Sequence, residues 1–119
     1  MNGIEDIERA MVEYPKAKLL SLTSPNYYGI TTDLCAIASL AKRRDILVLV
    51  DEAHGPHLHF HPNLPTSALD AGADLCVQST HKILGGMTQS SMLHLKGPAI
   101  DYPRVVRLLL LLQSTSPSY

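Results

Sequence analysis

The chain has 119 residues, enough for one domain, and 45% of them are hydrophobic while 18% are charged. This balance is typical of a globular protein and argues against disorder. Ten Lys and Arg residues against eleven Asp and Glu residues give a net charge of -1. That value excludes an electrostatic argument for binding nucleic acid or an anionic membrane, and we expect neither as a partner.

The N-terminal half predicts a helix, a strand and a second helix. The first helix ends before Pro15, and its apolar residues recur at helical spacing: Ile4, Ile7, Met11 and Val12. Residues 17–24, AKLLSLTS, predict a short strand ended by Pro25. Residues 31–33 can cap the second helix, whose predicted inner face is Leu34, Ile37, Ala38 and Ala41. Cations at 42–44 suit its last turn.

The C-terminal half continues the alternation. Residues 46–50, ILVLV, are apolar throughout and predict a strand covered on both faces, as in a parallel sheet. A brief helix is predicted at 67–71, strands at 73–79 and 92–96, and a closing helix at 104–113. This order predicts one α/β domain with a mostly parallel sheet flanked by helices. Ligands bind beyond the carboxyl ends of such strands, so the segments that follow the first three strands are predicted to form one site.

The letters DEAH at 51–54 resemble a magnesium-binding acidic box after an apolar strand. Its partner, G-x-x-x-x-G-K-[ST], is absent from the sequence, so nothing would cradle nucleotide phosphates. A strand that ends in an acid is common, and a nucleotide site is disfavoured.

Four histidines lie within eight residues and suggest a second candidate, a metal site: His54, His57, His59 and His61. Imidazole is a common ligand for zinc or copper. The spacing matches no recognised closed site, however, and a solvated, partly packed loop is the favoured interpretation. We predict no metal site.

Lys82 provides a third candidate, because it follows an apolar strand and is flanked by hydroxyls and His81. A lysine in a partly dehydrated, polar-lined pocket has its amine form favoured, as Schiff-base chemistry requires. Ser79 and Thr80 could hold a phosphate, and an acid one strand earlier could pair with a protonated pyridine nitrogen. Lysine, carboxylate and phosphate cup together are what pyridoxal phosphate (PLP) needs.

Residues 77–91, VQSTHKILGGMTQSS, are similar to the PLP-attachment segment of the bacterial-type Orn/Lys/Arg decarboxylases. That pattern has a Ser two residues before a His-Lys pair, small residues three and four after the lysine, then a small residue, Gln and two small residues. The matching positions are Ser79, His81, Lys82, Gly85, Gly86, Thr88, Gln89, Ser90 and Ser91. The resemblance extends over most of the chain through TSPNYYGITTDL, VDEAHGPHLHFHPNLP and LLQSTSPSY.

The resemblance implies a fold type I large domain that binds PLP and decarboxylates arginine, lysine or ornithine, a step of polyamine biosynthesis. By family correspondence, Lys82 carries the cofactor as a Schiff base and Asp51 pairs with the pyridine nitrogen. Ala53 packs on the ring face, and Ser79 contributes to phosphate binding.

His54 and His81 correspond to active-site histidines of the family, and His81 is a reasonable proton donor to the substrate carbon. Two alternatives remain open: an inactive remnant with a structural or interaction role, and another PLP reaction on the same fold, such as transamination or aldol cleavage. The SxHK pattern together with the downstream TQSS favours decarboxylation over the latter.

Family members are much longer, so residues 1–119 are expected to be the central part of a larger domain. Exposed apolar surface and open strand edges are then expected, and with them a homo-oligomer or a complementing fragment as partner. The acidic, amphipathic N-terminus does not resemble a signal peptide. Residues 105–113 are too short to span a bilayer. Cys35 and Cys76 are predicted to be reduced core thiols, and the chain to be cytoplasmic.

Overall fold

The computed structural model describes residues 3–113, which form four helices and one four-stranded sheet. The helices are α1 (Ile4–Glu13), α2 (Leu34–Lys42), α3 (Thr80–Ile83) and α4 (Tyr102–Leu112). The strands are β1 (Leu19–Thr23), β2 (Leu47–Asp51), β3 (Leu75–Gln78) and β4 (Met92–Leu95). The predicted alternation of helices and strands is confirmed.

The sheet is mixed, with the spatial order β1-β2-β3-β4. β1 pairs with β2 and β2 pairs with β3 in parallel, whereas β4 runs antiparallel to β3. Two of the three pairings are therefore parallel, as predicted. The register places Thr23 opposite Asp51 and Asp51 opposite Val77, so three strands end at the same edge.

The core lies between one face of the sheet and the first two helices. Its cluster combines Val48, Val50 and Cys76 from the strands with Ile7 and Ile37 from the helices. Asp33 caps α2 as predicted, because its Oδ1 accepts from the backbone N–H of Ala36 at 3.0 Å. The four residues predicted for the inner face of α2 are all buried.

The prediction that β2 is covered on both faces is wrong for the described residues. Val48 and Val50 are buried, but Leu47 and Leu49, which point to the opposite face, are only half-buried. Side chains alternate between the faces of a strand, so this difference means that one face of the sheet is covered and the other is largely open.

The brief helix predicted at 67–71 is also wrong, since this segment forms a turn. The Ser67 carbonyl accepts from Ala71 N–H at 2.9 Å, and Gly72 then has a φ of +102°. One helical hydrogen bond forms, and the left-handed conformation of Gly72 prevents the helix from continuing. Neither α3 nor the 3-10 turn Leu58–Phe60 was predicted from the sequence.

The closing helix is confirmed over most of its predicted range, but none of its residues is buried. Leu110, Leu111 and Leu112 are among its exposed apolar side chains. The end of the expected LLQSTSPSY helix and turn lies outside the described residues. The described part of the chain contains no helix long and apolar enough to cross a membrane.

Candidate active site

The predicted site edge forms because backbone hydrogen bonds continue past the strand ends. Ser24 N–H donates to the Asp51 carbonyl at 3.0 Å, and Glu52 N–H donates to the Val77 carbonyl at 2.8 Å. The three segments that follow β1, β2 and β3 are thereby held side by side, as expected for the carboxyl ends of parallel strands.

The segment after β1 is a tight loop organised by Asn26. Its Oδ1 accepts from the backbone N–H groups of Tyr28 and Ile30, each at 3.0 Å. Gly29, with a φ of +78°, completes the turn in a conformation that favours glycine. This loop presents Tyr27, 81% exposed, at the edge of the site.

The two acids that follow β2 have opposite environments. Asp51 is exposed, and its Oδ1 accepts from Ala53 N–H at 3.0 Å. Glu52 is 0% exposed and accepts hydrogen bonds from Ala68 N–H, the Cys76 thiol and Gln78 Nε2. Asp51 is thus the acid that a ligand can reach. Glu52 was not among the predicted site residues, although continuing the alternation of buried Val48 and Val50 points to it.

The segment after β3 folds back on itself around Ser90. Thr80 Oγ1 donates to Ser90 Oγ at 2.8 Å, and His81 Nδ1 lies 2.7 Å from the Ser90 carbonyl oxygen. A carbonyl only accepts, so Nδ1 carries the hydrogen and Nε2 is the nitrogen that can gain or lose a proton. Ser79, half-buried, occupies the N-cap position of α3.

His54 brings the segments after β2 and β3 together. Its Nε2 lies 3.3 Å from Lys82 Nζ, and its ring lies edge-on to Tyr27 with centroids 5.6 Å apart. His54 therefore contacts both Tyr27 and Lys82, and Asp51 and Ala53 lie in the same turn as His54. A primary amine, an imidazole and an accessible carboxylate lie at one edge.

The partly dehydrated pocket predicted around Lys82 is not formed by the described residues, since Lys82 and His81 are both exposed. The physical reason is that α3 has only four residues and lies beyond the sheet edge. Within residues 3–113, no segment covers the lysine.

The histidine-rich loop is held at its far end by two contacts to Asp70. His59 Nδ1 and Ser67 Oγ both lie 2.6 Å from Asp70 Oδ2. The hydrogen bond from Ser67, then that from His59, lowers the pKa of Asp70. Across residues 3–113, no group of three or more His, Cys, Asp or Glu side chains could hold a metal ion.

The two cysteines are free, but they occupy different environments. Cys76 is buried, and burial, followed by the Glu52 charge, raises the pKa of its thiol. Cys35 is exposed, so its predicted place in the core is wrong. It lies on the outer side of α2, one residue after the buried Leu34.

Comparison with known proteins supports the family resemblance. A family model described as "Orn/Lys/Arg decarboxylase, major domain" matches residues 3–119. Arginine decarboxylase of Bacillus subtilis (strain 168) is 47% identical over 116 residues, which cover 98% of this chain and 24% of the relative. Constitutive lysine decarboxylase of Escherichia coli (strain K12) is 33% identical over 75 residues, 58% of this chain and 10% of the relative. The chain spans about a quarter of the length of the first of these relatives.

Solved structures confirm the fold type I expectation. Mouse CSAD in its apo form has a TM-score of 0.67 at 28% identity, covering 80% of this chain and 21% of that one. Alanine–glyoxylate aminotransferase from Nostoc sp. has a TM-score of 0.67 at 18% identity, covering 95% and 27% respectively, which shows the fold alone. The family and these neighbours are PLP-dependent enzymes.

Proposed function

Because the chain belongs to the Orn/Lys/Arg decarboxylase family, as part of its major domain, we propose that it is the lysine-bearing part of a PLP-dependent decarboxylase. The proposed substrate is a basic amino acid: arginine, lysine or ornithine. The observation that carries the proposal is the 3.3 Å approach of Lys82 Nζ to His54 Nε2 at the edge where Asp51 is exposed. An amine, an imidazole and an accessible carboxylate lie close together at this edge, which supports the proposal.

The donor set fits PLP. The cofactor would be held by Lys82, Asp51, Ala53, His54, Ser79 and His81. Asp51 Oδ1 is occupied by Ala53 N–H, and Oδ2 can accept a hydrogen bond from a protonated pyridine nitrogen. Ser79 supplies a hydroxyl at the start of α3 for a phosphate, whereas the Thr80 hydroxyl already donates its hydrogen to Ser90 Oγ. When bound, PLP would supply an electron sink for the pair left on the α-carbon as carbon dioxide departs.

His54 is placed to orient the amine of Lys82. Lys82 is a nucleophile only as a neutral amine, and His54 Nε2 can accept a hydrogen bond from Lys82 Nζ that orients it. At 3.3 Å the two nitrogens are close to hydrogen-bonding distance. Tyr27 meets the His54 ring edge-on and restricts the direction in which Nε2 points.

His81 is the proposed proton donor to the substrate α-carbon. Its Nδ1 hydrogen is held by the Ser90 carbonyl at 2.7 Å, so the ring keeps one orientation through the cycle. Nε2 is then the ring nitrogen that would carry the donated proton.

Arginine is the first substrate to test, since relatives from three Bacillus species that are 45–47% identical are named arginine decarboxylase. The product would be an amine that enters polyamine biosynthesis. A cytoplasmic location is also proposed, because both cysteines are free thiols.

The rest of the site is proposed to come from a partner: further chain of the same domain, a complementing polypeptide, or a second copy. The exposure of Lys82 and the unburied α4 support this proposal. No nucleic acid or membrane partner is proposed.

Labelling of the lysine tests the proposed function. The purified chain is mixed with PLP, reduced with borohydride, and the modified peptide is located by mass spectrometry. Label is expected at Lys82 and is expected to disappear in Lys82→Ala, whereas Lys96→Ala, which removes another exposed lysine, retains it. Release of carbon dioxide from arginine, lysine and ornithine is measured in parallel. Label spread over several lysines and unchanged in Lys82→Ala would reject the proposal.

A further inference from the structure

Glu52 is a buried carboxylate that the proposed chemistry does not use. It is 0% exposed, although it lies between the exposed Asp51 and the turn that carries His54. Burying a carboxylate is costly unless hydrogen bonds satisfy it. Three donors do so: Ala68 N–H at 2.8 Å, Gln78 Nε2 at 2.7 Å and the Cys76 thiol at 3.3 Å. None of these three donors carries a positive charge.

These donors tie the end of β2 to other parts of the fold. Ala68 belongs to the turn that precedes β3, while Cys76 and Gln78 belong to β3 itself. Gln78 extends the connection, because its Oε1 lies 3.0 Å from His94 Nε2 in β4. The side chain of Glu52 thus contacts the turn and the strand that position α3 and its lysine.

The inward direction of the Glu52 side chain determines where the side chains of Asp51 and His54 point. Side chains alternate along an extended chain, so an inward Glu52 requires an outward Asp51. The chain then turns, with Gly55 N–H donating to the Glu52 carbonyl at 2.9 Å. That turn brings His54 to 3.3 Å from Lys82.

We infer that Glu52 is a positioning residue, whose buried carboxylate sets the orientation of Asp51 and His54 and thereby the binding of the cofactor at Lys82. The effect of Glu52 on cofactor binding rests on the proposed function. Its effect on the turn at residues 52–55 does not.

Glu52→Gln is the informative substitution, because it keeps the size of the side chain and exchanges one acceptor oxygen for a donor. The new amide can still accept from Ala68 N–H, but its NH₂ group then faces the NH₂ group of Gln78 across 2.7 Å. Adding Gln78→Glu restores a donor–acceptor pair with the carboxylate moved to position 78, where it can still accept from His94. Glu13→Gln, at an exposed helix end, is the matched control.

Two measurements separate positioning from general stability. Hydrogen–deuterium exchange compares peptides over residues 51–55 with peptides over α2, and an absorbance titration gives the Kd of PLP. In Glu52→Gln we expect exchange of the Gly55 amide to be faster by about tenfold or more, the factor for losing a hydrogen bond to a charged group. The Kd is expected to rise by a similar factor, with α2 exchange unchanged. The double variant is expected to recover both values.

Wild-type exchange at residues 51–55 in Glu52→Gln would overturn the inference. Equal loss of protection in α2 would also overturn it, because Glu52 would then stabilise the whole fold rather than the turn. If the double variant shows the same fast exchange and the same weak PLP binding as Glu52→Gln, the pairing of positions 52 and 78 does not hold the turn, and the inference is rejected. Exchange needs no cofactor, so a wild-type chain that fails to bind PLP at Lys82 rejects the proposed function while the exchange data still decide the role of Glu52.

Discussion

A methyl group at Gly55 is expected to destabilise the chain, because three side chains already occupy the space beside it. A Cβ at this position would lie 2.6 Å from Glu52 Cγ, 2.7 Å from Pro25 Cδ and 3.0 Å from Leu58 Cδ1. Non-bonded carbon atoms prefer separations of about 3.5–4.0 Å, so each contact is too short by roughly 0.5–1.4 Å. The proline ring is rigid, and the carboxylate of Glu52 is held by its three hydrogen bonds, so neither can move freely. Overpacking of this kind costs about 1–3 kcal/mol.

Urea unfolding followed by circular dichroism measures the effect of Gly55→Ala. Gly85→Ala is the matched control, because nothing lies within 4 Å of a Cβ at that position. The control is expected to unfold within about 0.5 kcal/mol of the wild-type chain, as for ordinary surface substitutions. If both glycine variants have the same free energy of unfolding, the close packing of the two loops deduced from these distances is wrong.

Three further predictions concern the core, the loop and the thiols. Ile37→Ala, at a side chain 1% exposed, should lower the free energy of unfolding by about 2–5 kcal/mol, whereas Ile4→Ala, 42% exposed, should cost far less; equal losses would contradict the core assignment. The pKa of Asp70 is lowered on folding. The ionised carboxylate therefore stabilises the fold above the unfolded pKa of about 3.9, and this stabilisation is lost as pH falls through the folded pKa. On acid titration, Asp70→Asn should lose less free energy of unfolding than the wild-type chain does. Iodoacetamide should modify Cys35 in the folded chain but Cys76 only after unfolding, since burial raises the pKa of the Cys76 thiol; equal rates would show that the thiol is accessible.

Local patterns were sufficient to predict most of the fold. The existence of strand β2 and the capping of α2 by Asp33 each depend on neighbours in sequence, and both predictions are confirmed. One of the failures depends on distant contacts. Whether a second layer covers Leu47 and Leu49 is decided by segments far along the chain. The helix expected at 67–71 failed for a local reason instead, because Gly72 adopts a left-handed conformation that its sequence context does not reveal.

The candidate site also has features that the sequence predicts and features that it does not. A family pattern of fifteen residues identified the segment around Lys82, and the ends of parallel strands explained why Asp51 should lie near it. Sequence could not reveal that Lys82 is exposed, because enclosure is a property of tertiary neighbours. Glu52 was missed since two consecutive acids look equally solvated in sequence, and only the phase of the strand distinguishes the buried acid from the accessible one.

The edge of β1 that is unpaired within residues 3–113 is the place where a further strand could join the sheet. Among the described residues β1 pairs only with β2, so one row of backbone N–H and C=O groups along its five residues remains a template for a further strand. A strand added there would lengthen the sheet without disturbing the segments that carry Asp51 and Lys82, which follow the second and third strands. Pairing along that edge would therefore take place away from the exposed Asp51 and Lys82, which lie at the ends of the inner strands.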